Sequence, residues 1–194
     1  MAVKVGVLAL QGDVSEHIAA FQQALRSAGE ADTGVVPVRR AADIPLLDAL
    51  AIPGGESTTI SRLIDKNAMR SPIERFEGGI FATCAGMVLL AGTVDDPRVS
   101  PLALMDMSVA RNAFGRQRES FEASVRIRGL AEPFHAVFIR APVVTATGPR
   151  AEPLAAVDAG IVAVRQGLHM AFSFHPELSG DIRLHRMFLD GLRR

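Results

Sequence analysis

The only cysteine of the chain, Cys84, lies at the end of an apolar run and directly before a helical pattern. Its neighbours in ATCAG, residues 82 to 86, are small, as a sharp strand-to-helix turn requires. On such a turn the N-terminus of the following helix favours the thiolate, which is the nucleophilic form of cysteine. A buried packing thiol is the more common role of a lone cysteine and is the alternative. One cysteine cannot form an internal disulfide, which fits a reducing cytoplasm.

The segment FSFHPEL, residues 172 to 178, places a histidine after an apolar run and a carboxylate two residues later. In extended geometry the side chains of His175 and Glu177 would project to the same face, with Pro176 stiffening the chain between them. A carboxylate on one imidazole nitrogen fixes the tautomer and leaves the other nitrogen free to act on a thiol. The residues therefore predict a Cys–His–Glu triad, and a solvated turn at the end of a strand is the alternative.

The remaining histidines carry no comparable carboxylate beside them in the sequence, so we expect them to be structural or solvated; they are His17, His135, His169 and His185. Cysteine and histidine do not occur at metal-ligand spacing, and no metal site is expected.

A third chemical signal is the pair Gly54 and Gly55 in IPGGEST, residues 52 to 58. Two glycines let the backbone turn sharply and direct N–H groups at a developing oxyanion. A phosphate-binding loop is not expected, because the Gly–Lys–Ser/Thr that it needs is missing here. An ordinary turn is the alternative for this segment alone. The three signals together are stronger, since the carboxyl ends of parallel strands meet at one edge of a sheet.

Alternating strands and helices are expected to position these residues. The strands of the first half are predicted at residues 4–10, 33–39, 49–55 and 78–84; helices follow at 13–29, with Asp13 as N-cap, from 57 onward, and at 85–92. Short alternating segments after residue 104, a last strand at 168–177 and a C-terminal helix at 180–192 complete the pattern. The prediction is an α/β fold in three layers, with a mostly parallel central sheet, antiparallel or mixed strands in the C-terminal half, and one domain over residues 1–194.

The composition excludes several classes of partner. Lys plus Arg and Asp plus Glu both number 21 in the 194 residues, so no net positive field attracts nucleic acid or anionic lipid. No apolar run approaches the roughly 18 residues of a membrane span. The apolar start of the chain lacks the basic leader of a signal peptide and is read as the first strand. We expect a soluble protein that binds neither nucleic acid nor membrane.

The motifs PGGEST, TCAG and HPE, in this order, resemble those of class I (triad) glutamine amidotransferases. More closely, LALQGDVSEH, PGGEST, RNAFGRQRESFE, FIRAP and FHPEL are similar to the glutaminase subunits of bacterial-type pyridoxal 5'-phosphate synthases, from about residue 4 to residue 190. This resemblance implies a flavodoxin-like fold. One departure is Ala82, which stands where the family has glycine, and an alanine fits there if its φ is negative.

The resemblance implies that Cys84 attacks the carboxamide of L-glutamine, that His175 transfers the protons and that Glu177 orients His175. The backbone N–H groups of Gly55 and Ala85 would form the oxyanion hole. The positions implied in glutamine binding are Gly55, Glu56, Ser57, Arg111, Ile139 and Arg140. Without the family, Arg111 would be assigned to a surface salt bridge and Arg140 to the end of a strand. No cofactor and no metal are implied.

A partner is implied as well, because free ammonia would protonate and diffuse away. In the family it is a (β/α)8-barrel synthase subunit that uses ammonia to build the vitamin B6 ring, in a large cytoplasmic hetero-oligomer. Gln11 is the implied interface and activation residue, with an ordinary loop glutamine as the alternative. The isolated chain is expected to be nearly inactive, because the flexible Gly54–Gly55 peptide could point its carbonyl into the oxyanion hole until the partner turns it.

Three other functions compete with this one. A glutaminase for another acceptor, such as imidazole glycerol phosphate synthesis, would keep the triad but lose RNAFGRQ and LQGD. A cysteine hydrolase or stress protein of the flavodoxin-like class would lack HPE. A non-catalytic binding module would be expected to lose one triad residue, and all three are present.

Overall fold

The computed structural model describes residues 3–29, 34–111, 113–114 and 120–193. The strands are β1 Val5–Leu8, β2 Val35–Val38, β3 Ala49–Ile52, β4 Gly79–Thr83, β5 Ala91–Val94, β6 Met105–Ala110, β7 Ser120–Val125, β8 Phe134–Ile139, β9 Val143–Thr147, β10 Glu152–Val157, β11 Gly160–Gln166 and β12 His169–Phe172. The α-helices are α1 Val14–Ser27, α2 Ser57–Lys66, α3 Arg70–Glu74, α4 Ala85–Leu90 and α5 Arg183–Gly191. Short 3₁₀ helices span Ala41–Leu46 and Pro176–Leu178.

Ten of these strands form one sheet within the described ranges, in the order β2-β1-β3-β4-β12-β11-β9-β6-β5, with β10 paired to β11. The strands from β2 to β12 in this order are parallel, whereas β12, β11, β9 and β6 pair antiparallel with one another in turn. Strands β7 and β8 form a separate antiparallel pair. The predicted α/β class, with a mixed C-terminal half, is confirmed.

Apolar clusters cover both faces of the sheet and produce the three layers. The continuous runs VGVL in β1 and ALAI in β3 are completely buried, as expected for strands covered on both sides. One cluster packs α2 and α4 onto the sheet, and the other packs α1, α5 and the phenylalanines of β4, β8 and β12. Both clusters anchor the strand ends that carry the chemistry. Over the described residues, the structure has no helix with the length and apolar character of a membrane span.

Several predicted boundaries are wrong; the strands predicted at 4–10 and 49–55, for example, end at Leu8 and Ile52. The helix after Cys84 ends at Leu90, and Ala91 already begins β5. The last strand ends at Phe172, and Pro176 opens a 3₁₀ turn because its fixed φ suits the first helical position. The extended geometry predicted for His175 and Glu177 is therefore absent. Part of the motif RNAFGRQRESFE, at positions 112 and 115–119, lies outside the described residues.

Candidate active site

Cys84 lies between the end of β4 and the start of α4, on a strained turn. Its φ of 49° and ψ of −106° are rare for a residue with a side chain. The backbone N–H of Cys84 donates a hydrogen bond to the carbonyl of Phe172 at 2.8 Å, so the pairing of β4 with β12 fixes the turn. The thiol donates to the carbonyl of Ile139 at 3.7 Å and is 8 % exposed. This is the geometry of a nucleophile elbow.

The residues around Cys84 are small for different structural reasons. A Cβ on Gly86 would lie 2.2 Å from the carbonyl oxygen of Ile52, so only glycine lets α4 approach β3 this closely. Ala82 pairs in parallel register with Ile52 and Ala171 and is completely buried. Its φ is not positive, so the alanine fits the strand without strain. An alanine at this position is therefore compatible with the turn at Cys84.

His175 and Glu177 meet through the 3₁₀ turn rather than along a strand. The Nδ1 of His175 lies 2.7 Å from Oε1 of Glu177, and the backbone N–H of His175 donates to the carbonyl of Val137 at 2.8 Å. The Glu177 side chain is completely buried. The predicted pairing is present, although the predicted backbone geometry is not.

The charged forms of His175 and Glu177 stabilise each other. Burial lowers the pKa of His175, but Asp13, the neighbouring Cys84 thiol and Glu177 outweigh burial and raise it. Burial raises the pKa of Glu177, but the imidazoles of His17 and His175 outweigh burial and lower it. The arrangement therefore favours an imidazolium beside a carboxylate, and Nε2 of His175 makes no hydrogen bond within the described residues. That nitrogen is free to exchange a proton with a substrate.

Asp13 is a site residue that the sequence did not identify. Its Oδ2 lies 3.2 Å from Nδ1 of His175, and its side chain is partly exposed. Asp13 does precede α1, as predicted, but its carboxylate makes no capping hydrogen bond to the helix. The side chain faces the imidazole instead, so two carboxylates converge on one nitrogen.

Hydrogen bonds connect the loop at Gly54 and Gly55 to the ends of two other strands. The N–H of Gly54 donates to Oγ1 of Thr83 at 3.1 Å, and its carbonyl accepts from the N–H of Asp13 at 3.3 Å. Oε1 of Gln11 accepts from the N–H of Glu56 at 2.9 Å. A Cβ on Gly54 would lie 2.4 Å from Cε1 of His175. The predicted oxyanion loop and the imidazole are thus in direct proximity.

Glu56 and Arg111 contact each other, and each also makes hydrogen bonds to other residues of the chain. The Glu56 carboxylate caps α2 by accepting from the N–H groups of Thr58 and Thr59 at 3.2 and 2.7 Å. Partial burial raises the pKa of Glu56, but hydrogen bonds from Thr58 and Thr59 outweigh burial and lower it to about 2. The guanidinium of Arg111 donates to Glu56 at 3.2 Å and also to Asp96.

The other predicted binding positions differ in how they are placed relative to Cys84. The carbonyl of Ile139 accepts from the thiol, and Arg140 follows with a left-handed φ of 43° and an exposed side chain. Ser57 is the buried first residue of α2. Ala85 is the first residue of α4, so its N–H is at the positive end of that helix.

Comparison with known proteins places this geometry in a family. The chain matches the SNO glutamine amidotransferase family over residues 7–194. It is 68 % identical to pyridoxal 5'-phosphate synthase subunit PdxT of Methanosphaerula palustris, over 99 % of this chain and 98 % of the relative. The same subunit of Methanoculleus marisnigri is 67 % identical, over 99 % of each protein. The chain belongs to the SNO glutamine amidotransferase family.

A solved structure described as a glutamine amidotransferase is also similar to this SNO family chain. It has a TM-score of 0.87 and 42 % sequence identity, and the alignment covers 98 % of this chain and 99 % of that one. The flavodoxin-like amidotransferase fold expected from the sequence is thereby confirmed.

Sequence reasoning also missed a buried partner of Glu177 in this SNO family chain. His17, on α1, is completely buried, with Nε2 3.4 Å from Oε1 of Glu177 and 3.0 Å from Oγ1 of Thr83. It was expected to be structural or solvated. The spacing of Asp13 and His17, one helical turn apart, was the available signal, because both side chains then lie on one face of α1.

Potential metal ligands converge at the same place. Single atoms of Asp13, His175 and Glu177 lie within 4.8 Å of one another. These atoms come from two distant segments, so the spacing in the sequence could not show them. They are the atoms that share the imidazole proton, and a cation there would displace that proton.

Proposed function

We propose that this chain hydrolyses L-glutamine to L-glutamate and ammonia and supplies the ammonia to a pyridoxal 5'-phosphate synthase. The observation that carries the proposal is the hydrogen-bonded pair of His175 and Glu177 next to the Cys84 thiol, in an SNO-family fold. High identity to relatives named as PdxT subunits of that synthase supports the pathway. In this proposal the chain acts as a single amidotransferase domain in the cytoplasm.

The first half of the reaction forms a thioester. The Cys84 sulfur attacks the side-chain carboxamide carbon of glutamine, and the N–H groups of Gly55 and Ala85 bind the oxyanion. His175, as imidazolium, gives its Nε2 proton to the departing nitrogen, which leaves as ammonia. The carbonyl of the Gly54–Gly55 peptide accepts from the N–H of Asp13 at 3.3 Å, so the orientation of this peptide is tied to the loop that carries Gln11.

The second half removes the acyl group. Neutral His175 takes a proton from water, and the resulting hydroxide attacks the thioester carbon. The carbon–sulfur bond breaks, glutamate leaves, and the thiolate–imidazolium pair is restored. Glu177 holds Nδ1 of His175 throughout, so that Nε2 stays directed at the reacting atoms.

Glutamine binding is proposed at the rim of this site. Gly55, Glu56 and Ser57 offer backbone groups beside the nucleophile, whereas the Glu56 carboxylate is occupied by helix capping and by Arg111. Arg111 is consequently held as a rigid cation that can attract the α-carboxylate. The exposed Arg140 and the carbonyl of Ile139 border the site on the other side.

The proposed partner is a (β/α)8-barrel synthase subunit in a large hetero-oligomer. Gln11 supports an activating contact, because it joins the first loop to the N–H of Glu56 beside the oxyanion loop. A partner that moved Gln11 would therefore reorient the Gly54–Gly55 peptide. We expect the isolated chain to be nearly inactive for this reason.

The test is glutamate release from L-glutamine, measured with and without the candidate synthase. We expect activity that needs the synthase and falls by at least about 1,000-fold in Cys84→Ala, as is usual for loss of a nucleophile. Unchanged activity in that variant would exclude Cys84 as the nucleophile. A chain that binds the synthase but releases no glutamate would be a non-catalytic module.

A further inference from the structure

The two oxygens of the Glu177 carboxylate have different contacts. Its Oε1 lies 2.7 Å from Nδ1 of His175 and 3.4 Å from Nε2 of His17, whereas Oε2 has no hydrogen-bond partner among the described residues. The side chains of Glu177 and His17 are both completely buried. One oxygen therefore hydrogen-bonds His175 and also lies within ion-pair distance of His17.

The contacts of His17 fix where its hydrogen lies. An ionised carboxylate only accepts hydrogen bonds, so Nε2 of His17 can bond Oε1 only when it carries a hydrogen. Nδ1 of His17 is buried and makes no hydrogen bond within the described part of the chain, so a hydrogen placed only there would be unsatisfied. A hydrogen on Nε2 of His17 faces both Oε1 of Glu177 and Oγ1 of Thr83, and this tautomer leaves no buried ring N–H unsatisfied.

His17 also connects the triad to the oxyanion loop. Its Nε2 lies 3.0 Å from Oγ1 of Thr83, and that hydroxyl accepts the N–H of Gly54 at 3.1 Å. Thr83 directly precedes Cys84. A single imidazole thus contacts the carboxylate that orients His175 and the hydroxyl that holds the oxyanion loop.

We propose that His17 is a positioning residue of the glutaminase site: it donates a hydrogen bond from Nε2 to Glu177 and so keeps that carboxylate directed at His175. The inference rests on the proposed function only for its effect on turnover. Without His17, the carboxylate can rotate away from Nδ1, and the imidazolium loses one of its two carboxylate partners. The titratable groups that face this network are Asp13 beside His175, Cys84 next to the same imidazole, and His185 next to His17.

His185 offers a matched control. It is also a completely buried histidine of the same cluster, with its ring centre 6.3 Å from that of His17, but neither of its nitrogens has a hydrogen-bond partner among the described residues. Substitution by leucine removes a buried imidazole of similar volume in both cases. Only at His17 does it remove a hydrogen bond to the triad.

The first measurement is the protonation of His175, followed by histidine-ring NMR in the isolated chain and assigned with His175→Asn. We expect the midpoint of the His175 titration to fall by about one pH unit or more in His17→Leu. It should stay at the wild-type value in His185→Leu and return towards that value in His17→Gln, whose amide can donate from the same place. A wild-type midpoint in His17→Leu, or an equal fall in His185→Leu, would overturn the proposal.

Turnover is measured in the complex with the synthase. In His17→Leu we expect kcat for glutamate release to fall about 10- to 100-fold, because small displacements of catalytic groups have effects of this size, with KM changed less than about 2-fold. His17→Gln should recover most of the rate. If Cys84→Ala leaves activity unchanged, the proposed function fails while the NMR result stands on its own.

The wild-type chain provides a test if His17→Leu does not fold. The nitrogen chemical shifts of the His17 ring distinguish its tautomers, and we expect a hydrogen on Nε2. A His17 ring that carries its hydrogen only on Nδ1 would refute the hydrogen bond to Glu177 directly.

Discussion

Cys84 combines a strained backbone with a buried side chain. A non-glycine residue at φ 49° and ψ −106° costs about 1–3 kcal/mol, and the surrounding structure must enforce it. Here the hydrogen bond to Phe172 holds one side of the turn, and the close approach of α4 to β3 holds the other. This conformation holds the Cys84 side chain at the N-terminus of α4, beside the carbonyl of Ile139.

Gly86 is the residue whose replacement tests this. In Gly86→Ala the new Cβ would lie 2.2 Å from the carbonyl of Ile52, so α4 must move away from the sheet and take the Cys84 turn with it. We expect glutamate release by the complex to fall by at least about 100-fold, because displacements of about 1 Å at reacting groups have effects of that size.

The control for Gly86→Ala is Gly92→Ala in β5. A Cβ on Gly92 meets nothing closer than 3.4 Å, and Gly92 is exposed. That variant should retain wild-type activity. Equal activity of both variants would show that the approach of α4 to β3 does not position the nucleophile.

At the scale of the elements, the N-terminus of α2 depends on Glu56. This side chain accepts from two N–H groups of the first turn and satisfies donors that the helix leaves unpaired. Thr58 and Thr59 add their hydroxyl groups to the same carboxylate. The cap thereby fixes the start of α2 beside the oxyanion loop.

Glu56→Ala is expected to lower the free energy of unfolding by about 1 kcal/mol at pH 7, as for other lost helix caps. The pKa of Glu56 is lowered from 4.5 to about 2, so its stabilisation is fully present above pH 4.5 and is lost as the pH falls towards 2. Urea unfolding followed by circular dichroism should show the difference between variant and wild type shrinking below pH 4.5. The exposed Glu77→Ala serves as control, and a deficit independent of pH would contradict the capping role of the charge.

The elements themselves were largely predictable, because their signals are local. The runs VGVL and ALAI are apolar at every position, which is typical of strands buried on both faces, and the glycines at 54, 55 and 86 mark turns. The end of β12 was not predictable, since the apolar pattern continues through Phe174. A distant hydrogen bond, from the N–H of His175 to Val137, accompanies the departure of the chain there.

The difference between local signals and distant contacts also explains which site residues could be predicted. Cys84, His175 and Glu177 were predicted from short motifs around each of them. His17 and Asp13 reach Glu177 and His175 only because α1 packs beside the turn after β12, about 160 residues away in the chain. No local pattern reports such a contact. The helix periodicity shows which face of α1 is buried, but not which partner it meets.

At the scale of the whole molecule, the apolar cluster beneath α1 and α5 contains two imidazoles. His17 uses its position for the hydrogen bond to Glu177. His185 stacks on Phe81 with ring centres 4.8 Å apart and also contacts Phe21 edge to face. A neutral imidazole in such surroundings behaves as an aromatic packing group, but a protonated one could not be accommodated.

The stability of the fold should therefore depend on pH through His185. Burial lowers its pKa to about 3, with a further lowering by His17 that Glu177 and Asp181 oppose. The folded pKa lies below the unfolded value of 6.5, so the unfolded chain binds the proton first and stability is lost as the pH falls below 6.5. This contribution approaches about 1.4 kcal/mol per pH unit and ends near pH 3. Above pH 6.5 it is fully present.

The measurement compares the free energy of unfolding in urea for wild type and His185→Leu between pH 8 and pH 4. The difference between the two isolates His185 from the other titrating groups, and we expect it to change in favour of His185→Leu by a few kcal/mol as the pH falls, because the leucine has no proton to bind. His135→Leu is the control, since His135 is exposed and bonded to Glu122 at 2.8 Å. If the difference in free energy of unfolding between wild type and His185→Leu did not depend on pH, the folded cluster would accept the proton. The packing of α5 on β4 would then adjust to a charged imidazole.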